Sequence, residues 1–161
     1  MKMPKRDTQE STGGGIFLKL NDGESVSGVF RGEVHTFYSY WDQATRRSVI
    51  VDADHDLARA RYRLNFITKD ESGQLVAKIW EFAGPFYDLL QEINEEYALE
   101  ETTIKVTRKG LGKDTEYYPL PLLKQPLTAK ALEQIAAVKL QTLNHPPQNA
   151  APKSQERAEF P

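Results

Sequence analysis

Two segments whose side chains divide between two alternating faces, most cleanly in the first segment, constrain the fold of this chain more than any other feature. The first covers residues 61–68 and the second residues 75–82, and the run 69–73 between them has the composition of a turn. Successive side chains of a β-strand point to opposite faces of the sheet, so this alternation is typical of strands with two different faces. The sequence therefore predicts two strands joined by a turn.

Further strands are predicted on both sides of this pair. Residues 16–20 and 25–31 flank an Asp-Gly dipeptide, which is typical of hairpin turns. Later in the chain, residues 103–109 and 115–120 also have strand character and are joined by a run with two glycines.

Two helices are predicted from their start signals and apolar stripes. Gly84 is the predicted N-cap of the first helix, with Pro85 as its first helical residue. The second is predicted over residues 129–143, with Thr128 as its N-cap. In the first helix, apolar residues recur at helical spacing and the opposite face is acidic. The residues of this apolar stripe are Phe86, Leu89, Leu90, Ile93 and Tyr97.

The order of these elements predicts a mainly β fold. Three strands, one helix, two strands and an appended helix fit a five-stranded OB-fold barrel, with one helix between strands 3 and 4 and an appended C-terminal helix. A small α+β sandwich fits the order less well and is the alternative. The predicted OB domain covers residues 15–125, with a long loop at 33–60. A flexible segment at 1–14 precedes it, and an amphipathic helix at 126–143 and a flexible Pro-rich tail at 144–161 follow.

Composition excludes several classes of site. The chain has no cysteine, which excludes disulfides, iron–sulfur clusters, thiol catalysis and Cys-based zinc sites. The Asp-rich run 52–56 begins like a calcium loop but has Leu57 and Arg63 where such a loop needs Gly and Glu. With only three scattered histidines, we expect no metal, no cofactor, no catalytic residue and no enzymatic activity. Short apolar runs and a start without a signal-peptide core predict a cytoplasmic protein with no membrane segment.

Charge is distributed unevenly although it nearly cancels over the whole chain. The chain has 21 basic and 23 acidic residues, for a net charge of −2. Residues 84–101, which include the first predicted helix, contain six acidic residues and no basic one. With this helix turned away, the sheet can present Arg and Lys to a polyanion. The alternative is a solvated helix face whose charge has no functional meaning.

One predicted strand face combines a ring with cations. Trp80 alternates onto the same face as Lys78, close to Arg61 and Arg63 of the neighbouring strand. Such a combination is what base stacking and phosphate pairing require. The alternative is that Trp80 is a core residue, or a rim residue covered by the long loop.

Two other segments carry rings or cations outside any clear periodicity. Residues 37–41 hold four aromatic side chains, which either close over bases or form an ordinary hairpin that packs on the barrel. Residues 108–113 contain three basic residues and two glycines but lack the first Gly and the Ser or Thr of a nucleotide P-loop. This segment is either a turn whose backbone and side chains bind phosphates or a turn with a purely structural role.

Four segments carry a resemblance to a known family. They are residues 29–33 (VFRGE), 61–66 (RYRLNF), 77–81 (AKIWE) and 109–117 (KGLGKDTEY). In this order they resemble the core of the OB-fold single-stranded DNA-binding proteins of tailed phages, over about residues 16–120. The resemblance implies a protein of DNA replication and recombination that coats exposed strands, melts hairpins and recruits phage enzymes in the host cytoplasm.

The chain departs from this family in two places. Some relatives carry a Cys-rich zinc element in the loop after the first barrel strand, whereas residues 42–60 contain no cysteine. Many single-strand binders end in a strongly acidic tail, whereas the charges of residues 153–159 cancel. We therefore expect any order in the loop to come from protein packing or DNA, and we do not expect the tail to recruit partners.

The sequence thus predicts a non-catalytic protein that binds single-stranded DNA without reading its sequence. Bases would stack on aromatic side chains and phosphates would pair with basic ones. The predicted stacking residues are Trp80, Tyr40, Trp41 and Tyr117, and the predicted phosphate-binding residues are Arg31, Arg61, Arg63, Lys78, Arg108, Lys109 and Lys113. The alternative is an OB-like protein-interaction module that docks a replication or host protein through the aromatic segment and the C-terminal helix. RNA binding uses the same stacking, so the sequence does not separate it from DNA binding.

Overall fold

The computed structural model describes residues 15–145. This part of the chain contains a six-stranded antiparallel sheet and two helices. The strands are β1 (Ser25–Asp42), β2 (Arg47–Val51), β3 (Arg59–Lys69), β4 (Leu75–Ala83), β5 (Ile104–Lys109) and β6 (Glu116–Pro121). Helix α1 (Gly84–Glu96) lies between β4 and β5 in the chain, and α2 (Ala129–Ala136) follows β6. Short 3₁₀ turns occur at Leu99–Glu101 and Gly112–Asp114. Neither helix of this part of the chain has the length and apolar character needed to cross a bilayer.

Strand β1 organises the sheet because it pairs with three other strands. The strand order is β4-β3-β1-β5-β6, and β2 pairs with β1 outside this path. The N-terminal part of β1 pairs with β5, its middle with β3 and its C-terminal end with β2 and β3. The two ends of the order, β4 and β6, do not pair with each other, so the sheet is not closed.

Two glycines permit β1 to make these pairings. A Cβ atom on Gly28 would lie 2.3 Å from the carbonyl oxygen of Ile67 and 2.6 Å from the ring of Phe66, so only glycine fits there. Gly32 has a φ of 87°, in the left-handed region that favours glycine. It lies within the irregularity of register between Arg31 and His35, where the pairing with β3 shifts.

The main core lies between one face of the sheet and α1. Helix α1 contributes Phe86 and Leu90, and Pro85 stands at its start. The sheet contributes side chains from β1, β3, β4 and β5. The most deeply buried of these are Phe30, Phe66, Ile104 and Val106.

A second, smaller core covers the opposite face of the sheet. Ile135 of α2 packs there against Val29, Ile67 and Ala77. Leu140, which follows α2, is partly buried against the same cluster. Both faces of the β3–β4 pair are therefore covered, one by α1 and the other by α2 and the chain that follows it.

The structure confirms a mainly β fold with a helix after the central hairpin, and it differs from the predicted five-stranded barrel in having six strands and an open sheet. The predicted loop at 33–60 is wrong, because β1 continues to Asp42 and returns as β2. The aromatic residues of this hairpin show no period because neither of its faces is fully buried.

The ends of several elements also differ from the predictions. Of the predicted strand 16–20, only Phe17 forms a bridge, parallel to Ile79 of β4. The N-cap of α1 is Ala83 instead of Gly84, whereas Thr128 caps α2 as predicted and accepts a hydrogen bond from the backbone N–H of Ala131 at 3.0 Å. Helix α2 ends at Ala136, well before the predicted end at residue 143. The predicted flexible segment 1–14 and all but two residues of the predicted tail 144–161 lie outside the described residues.

Candidate nucleic-acid interface

Trp80 is buried in the main core, with 2 % of its surface exposed. Its ring lies 6.1 Å from the ring of Phe66, 6.0 Å from that of Phe86 and 5.4 Å from that of Tyr117, measured between centroids. Its indole N–H is buried without a hydrogen-bond partner among residues 15–145. The prediction that Trp80 stacks on bases is wrong, because the face that it occupies on β4 is the one that α1 covers.

Arg63 has no exposed surface. Its Nε donates a hydrogen bond to the carboxylate of Glu81 at 2.9 Å, and its Nη1 donates to the carbonyl oxygens of Leu143 at 2.8 Å and His145 at 2.7 Å. The guanidinium also lies over the ring of Phe37, 4.6 Å from its centroid. The prediction that Arg63 binds a phosphate is wrong, because the protein itself occupies its donors and covers it.

The side chain of Asn65 shows what covers this face. It donates to the carbonyl oxygen of Gln141 at 3.1 Å and accepts from the backbone N–H of the same residue at 2.7 Å. Gln141 in turn donates to the carbonyl oxygen of Ala77 at 3.0 Å. Residues 137–145, called the C-terminal segment below, therefore lie across β3 and β4 on the face of Arg63 and Asn65, which is the polar face of β3 and the face of Ala77 and Ile79 on β4.

The other predicted cations of the central strands are only partly available. Arg61 is half-buried and forms an ion pair with Glu81 at 3.3 Å. Arg31 is half-buried on the face that the C-terminal segment covers. Lys78 is half-buried, and its ammonium donates to the carbonyl oxygen of Gly15.

The β5–β6 hairpin keeps its predicted cations exposed and adds a ring that the sequence analysis missed. Lys109 and Lys113 are exposed. The ammonium of Lys109 lies 5.6 Å from the ring centroid of Tyr118, and this tyrosine is 45 % exposed. The predicted residue, Tyr117, is half-buried against the core instead. Alternation along β6 could have separated the two tyrosines, because only one of two consecutive strand residues can face the core.

An exposed patch extends from Tyr118 along the hairpin. Tyr118 pairs with Thr107, and Leu120 pairs with Lys105, so these side chains share one face of β5 and β6. Because the residues that alternate with them on β5 point into the core under α1, this face is the one opposite α1. We call Lys105, Lys109, Tyr118 and Leu120 the outer patch.

An exposed carboxylate, that of Glu116, lies on the same face as the outer patch, as the strand partner of Lys109. Glu116 accepts a hydrogen bond from the Tyr118 hydroxyl. This hydrogen bond, with a smaller contribution from the negative charge of the carboxylate, raises the pKa of the phenol above its usual value. The raised pKa extends to higher pH the range in which the ring beside Lys109 is uncharged.

Three predicted residues meet at a cleft of about 840 Å³. Arg61, Arg108 and Tyr117 line this cleft, which lies between the segment 18–20, the end of β4, the start of α1 and the β5–β6 hairpin. It is therefore at the open side of the sheet, where β4 and β6 are not paired.

Arg108 is held rigidly at this cleft. Its Nη1 donates to the carbonyl oxygen of Leu20 at 2.5 Å and its Nη2 to the hydroxyl of Thr115 at 3.2 Å. Its Nε is buried and has no hydrogen-bond partner in the described part of the chain. Among residues 15–145 no carboxylate lies within ion-pair distance of this guanidinium.

The β1–β2 hairpin carries the remaining predicted rings, close to both basic and acidic side chains. Trp41 is 44 % exposed, whereas Tyr40 is half-buried and stacks on His55 with the ring centroids 4.9 Å apart. Arg46 in the turn of the hairpin and Arg47 at the start of β2 are exposed. The loop that follows β2 carries three exposed carboxylates, those of residues 52, 54 and 56. This hairpin is thus less favourable to a polyanion than the β5–β6 hairpin.

The described residues contain no group of three or more His, Asp or Glu side chains arranged to hold a metal ion. The chain matches no protein-family model, no curated protein sequence and no solved structure. The geometry of the residues described above is therefore what any functional assignment depends on.

Proposed function

We propose that this protein binds single-stranded DNA without sequence preference, through the outer patch and the adjoining cleft. The observation that carries the proposal is the composition of the outer patch. Two lysines flank an exposed tyrosine there, and one of them lies 5.6 Å from its ring. Exposed rings supply stacking to any base and lysines supply charge to phosphates, which is how sequence-independent single-strand binders work.

The distribution of charge supports this surface. The exposed carboxylates of α1 belong to Asp88, Glu92, Glu95 and Glu96, on the side of the sheet opposite the outer patch. A strand on the outer patch therefore lies on the face of β5 and β6 opposite α1, although Glu92 and Glu96 lie close to Pro119 at the edge of β6. Solvent screening weakens repulsion between these carboxylates and the phosphates.

The topology also supports the proposal. A long first strand that serves both halves of a sheet, with a helix before the last two strands, is the arrangement of an OB fold, which is often a partly open barrel. In OB folds the loops between the first two and the last two strands contact oligonucleotides. These correspond to the β1–β2 hairpin, with Trp41, and to the β5–β6 hairpin, with Lys109 and Lys113. We propose an OB-type domain on this basis, and the resemblance of the sequence to phage single-strand binders suggests replication and recombination as its setting.

A binding assay with a matched tyrosine control tests the proposal. Fluorescence anisotropy of labelled oligo-dT should show binding that weakens with salt and exceeds binding to a duplex of the same length. Tyr118→Ala should weaken the affinity for oligo-dT about 5- to 150-fold, the equivalent of about 1–3 kcal/mol for one stacked base. Tyr97→Ala, which removes an exposed tyrosine at the end of the acidic helix, should leave it unchanged. Equal loss in both variants, or no binding of oligo-dT at low salt, would refute the proposal.

A protein-interaction module is the second candidate, favoured by one observation. The β1–β2 hairpin and the loop after it expose Trp41, Ile50 and Leu57 beside carboxylates, a surface that suits a protein partner better than a nucleic acid. Helix α2 does not contribute to it as the sequence suggested, because its Ile135 is buried against the sheet. Loss of a partner on Trp41→Ala, with oligo-dT binding absent from the wild type, would favour this candidate.

A further inference from the structure

The cleft at the open side of the sheet has the size of a small-molecule site. Its volume of about 840 Å³ lies within the range of roughly 300–1,000 Å³ that is typical of ligand pockets. Its volume is too small for a duplex and is sufficient for one nucleotide.

The charge of Arg108 is the main reason to expect an anion there. The structure uses two of its five N–H groups, for Leu20 and Thr115, which fix the orientation of the guanidinium. A half-buried cation without a carboxylate partner is poorly compensated, and an anionic ligand would compensate it. A guanidinium held in one orientation is also suited to the planar recognition of a phosphate.

The other charges around the cleft do not cancel this one. Lys19 lines the cleft and is exposed. Of the two acidic residues in the lining, Glu81 is paired with Arg61 and Arg63, whereas Glu116 keeps its negative charge and accepts a hydrogen bond from Tyr118. Lys19 and Arg108 therefore face one uncompensated carboxylate in the lining. The start of α1 also lines the cleft and has no side-chain cap and no acidic residue in its first turn, so the positive end of the helix dipole adds to the same field.

The apolar part of the lining suits a flat ring. Tyr117 is half-buried, with its ring edge-on to Trp80, and its outer side faces the cleft. Pro85 and Leu89, both exposed, form the wall contributed by α1. A base beside this wall and Tyr117 and a phosphate at Arg108 would occupy the same cleft.

We infer that the cleft holds one phosphate-bearing nucleotide, with its phosphate at Arg108 and its base between Tyr117 and the start of α1. The inference deepens the proposed function, because such a nucleotide is either a unit of the bound strand, most simply its phosphorylated end, or a free mononucleotide. Both sources offer the same chemistry, a phosphate attached to a nucleoside.

Heteronuclear NMR on the full chain tests the site with dTMP as the probe. The buried Nε–H of Arg108 gives a signal that Arg108→Lys removes, which assigns it. Titration with dTMP should shift this signal and those of the Tyr117 backbone. Thymidine, which lacks the phosphate, should bind with an affinity at least about tenfold lower, as expected for the loss of charge-assisted contacts. Inorganic phosphate that produces all of the same shifts with the same affinity would overturn the inference in favour of a general anion site.

Two lysine variants separate the site from nonspecific charge. Lys19→Ala removes an exposed lysine of the lining and should weaken dTMP binding several-fold, whereas Lys130→Ala, an exposed lysine on α2, should not change it. Both variants should keep the unfolding transition of the wild type, so a loss in Lys19→Ala is not a loss of fold. Equal affinity for dTMP in both variants would contradict the placement of the phosphate.

The source of the nucleotide is decided with oligo-dT bearing either a 5′-phosphate or a 5′-hydroxyl. Tighter binding of the phosphorylated strand, lost in Lys19→Ala, identifies the strand end, whereas equal binding of both strands with dTMP shifts present identifies the free nucleotide. Oligo-dT binding that depends on Tyr118 without any response to dTMP would refute this inference and leave the proposed function standing. A dTMP response without oligo-dT binding would refute the proposed function and leave the nucleotide site standing.

Discussion

A guanidinium with no exposed surface must be compensated by its surroundings, and Arg63 is compensated by the protein alone. Glu81 supplies the opposite charge, and the carbonyl oxygens of Leu143 and His145 accept two further hydrogen bonds. The position therefore ties β3 to β4 and to the C-terminal segment. The Arg63 side chain, which the sequence suggested as a phosphate ligand, therefore stabilises the fold.

Arg63→Ala should lower the free energy of unfolding by about 3–5 kcal/mol, because it leaves buried acceptors without donors and removes one cation from Glu81. Arg59→Ala, an exposed arginine on the same strand, should change it by less than about 0.5 kcal/mol. Urea denaturation followed by circular dichroism measures both. The affinity of the folded Arg63→Ala variant for oligo-dT should equal that of the wild type, and a flatter salt dependence in this variant would show that Arg63 contacts phosphate after all.

The environment of Tyr118 shifts the pKa of its phenol, and an alkaline titration can measure this shift. The hydrogen bond to Glu116 raises the pKa of its phenol in the folded chain above the unfolded value. The contact therefore stabilises the fold fully at pH values below the unfolded pKa, near 10, and this contribution is lost as the pH rises through the folded pKa. Tyrosinate absorbance during an alkaline titration should show that Tyr118→Phe removes a late-titrating tyrosine. Glu116→Gln should move that tyrosine to an earlier pH, and an unchanged titration in Glu116→Gln would contradict the assignment.

At the scale of elements, the C-terminal segment explains why the sequence predicted the strands correctly and their surfaces incorrectly. Alternation does not predict the register between strands: Trp80 pairs with Leu64 and so lies on the face opposite Arg61 and Arg63, not near them as expected. Alternation tells only which side chains within one strand share a face, because the period of a strand is two. It does not tell what covers each face. Here α1 covers the face of Trp80 and the C-terminal segment covers that of Arg63, so neither residue reaches solvent. The helix was predicted to continue to residue 143 because Leu140 and Leu143 fit its period, but this part of the chain takes its hydrogen bonds from Asn65 and Arg63 instead.

A substitution at Asn65 tests the docking of the C-terminal segment on β3. Asn65→Leu keeps a side chain of similar size and leaves the backbone N–H and carbonyl of Gln141 without their partners. We expect a loss of about 1–3 kcal/mol in the free energy of unfolding, the cost of leaving buried polar groups unpaired. The amide of Gln141 should also exchange its hydrogen faster, as followed by NMR. Asn144→Leu, at an exposed position of the same segment, should change neither quantity, and a slow amide in Asn65→Leu would show that other contacts hold the segment.

At the scale of the whole molecule, a nearly neutral chain separates its charges across the sheet. The acidic face of α1 lies on one side, and the lysines of the outer patch lie on the other. An acidic helix turned away from a basic sheet is one of the two alternatives that the sequence left open. The sequence alone does not predict which part of the sheet stays open, because that depends on where α2 and the C-terminal segment pack. The β1–β2 and β5–β6 hairpins both stay open, and in the β5–β6 hairpin alternation along two short strands places one ring and two lysines on the same exposed face.

This separation predicts how binding responds to salt. For a single strand, each phosphate neutralised adds about 0.7 to the slope of log affinity against log salt concentration. Lys109→Ala should therefore reduce the magnitude of the slope for oligo-dT by about 0.7, and a variant that also carries Lys113→Ala should reduce it by about twice that amount. Lys130→Ala on α2 and Glu92→Lys on the acidic face of α1 should leave the slope unchanged, since the strand passes neither surface. A steeper slope in Glu92→Lys would mean that the strand runs along α1, and the outer patch would then not be the binding surface.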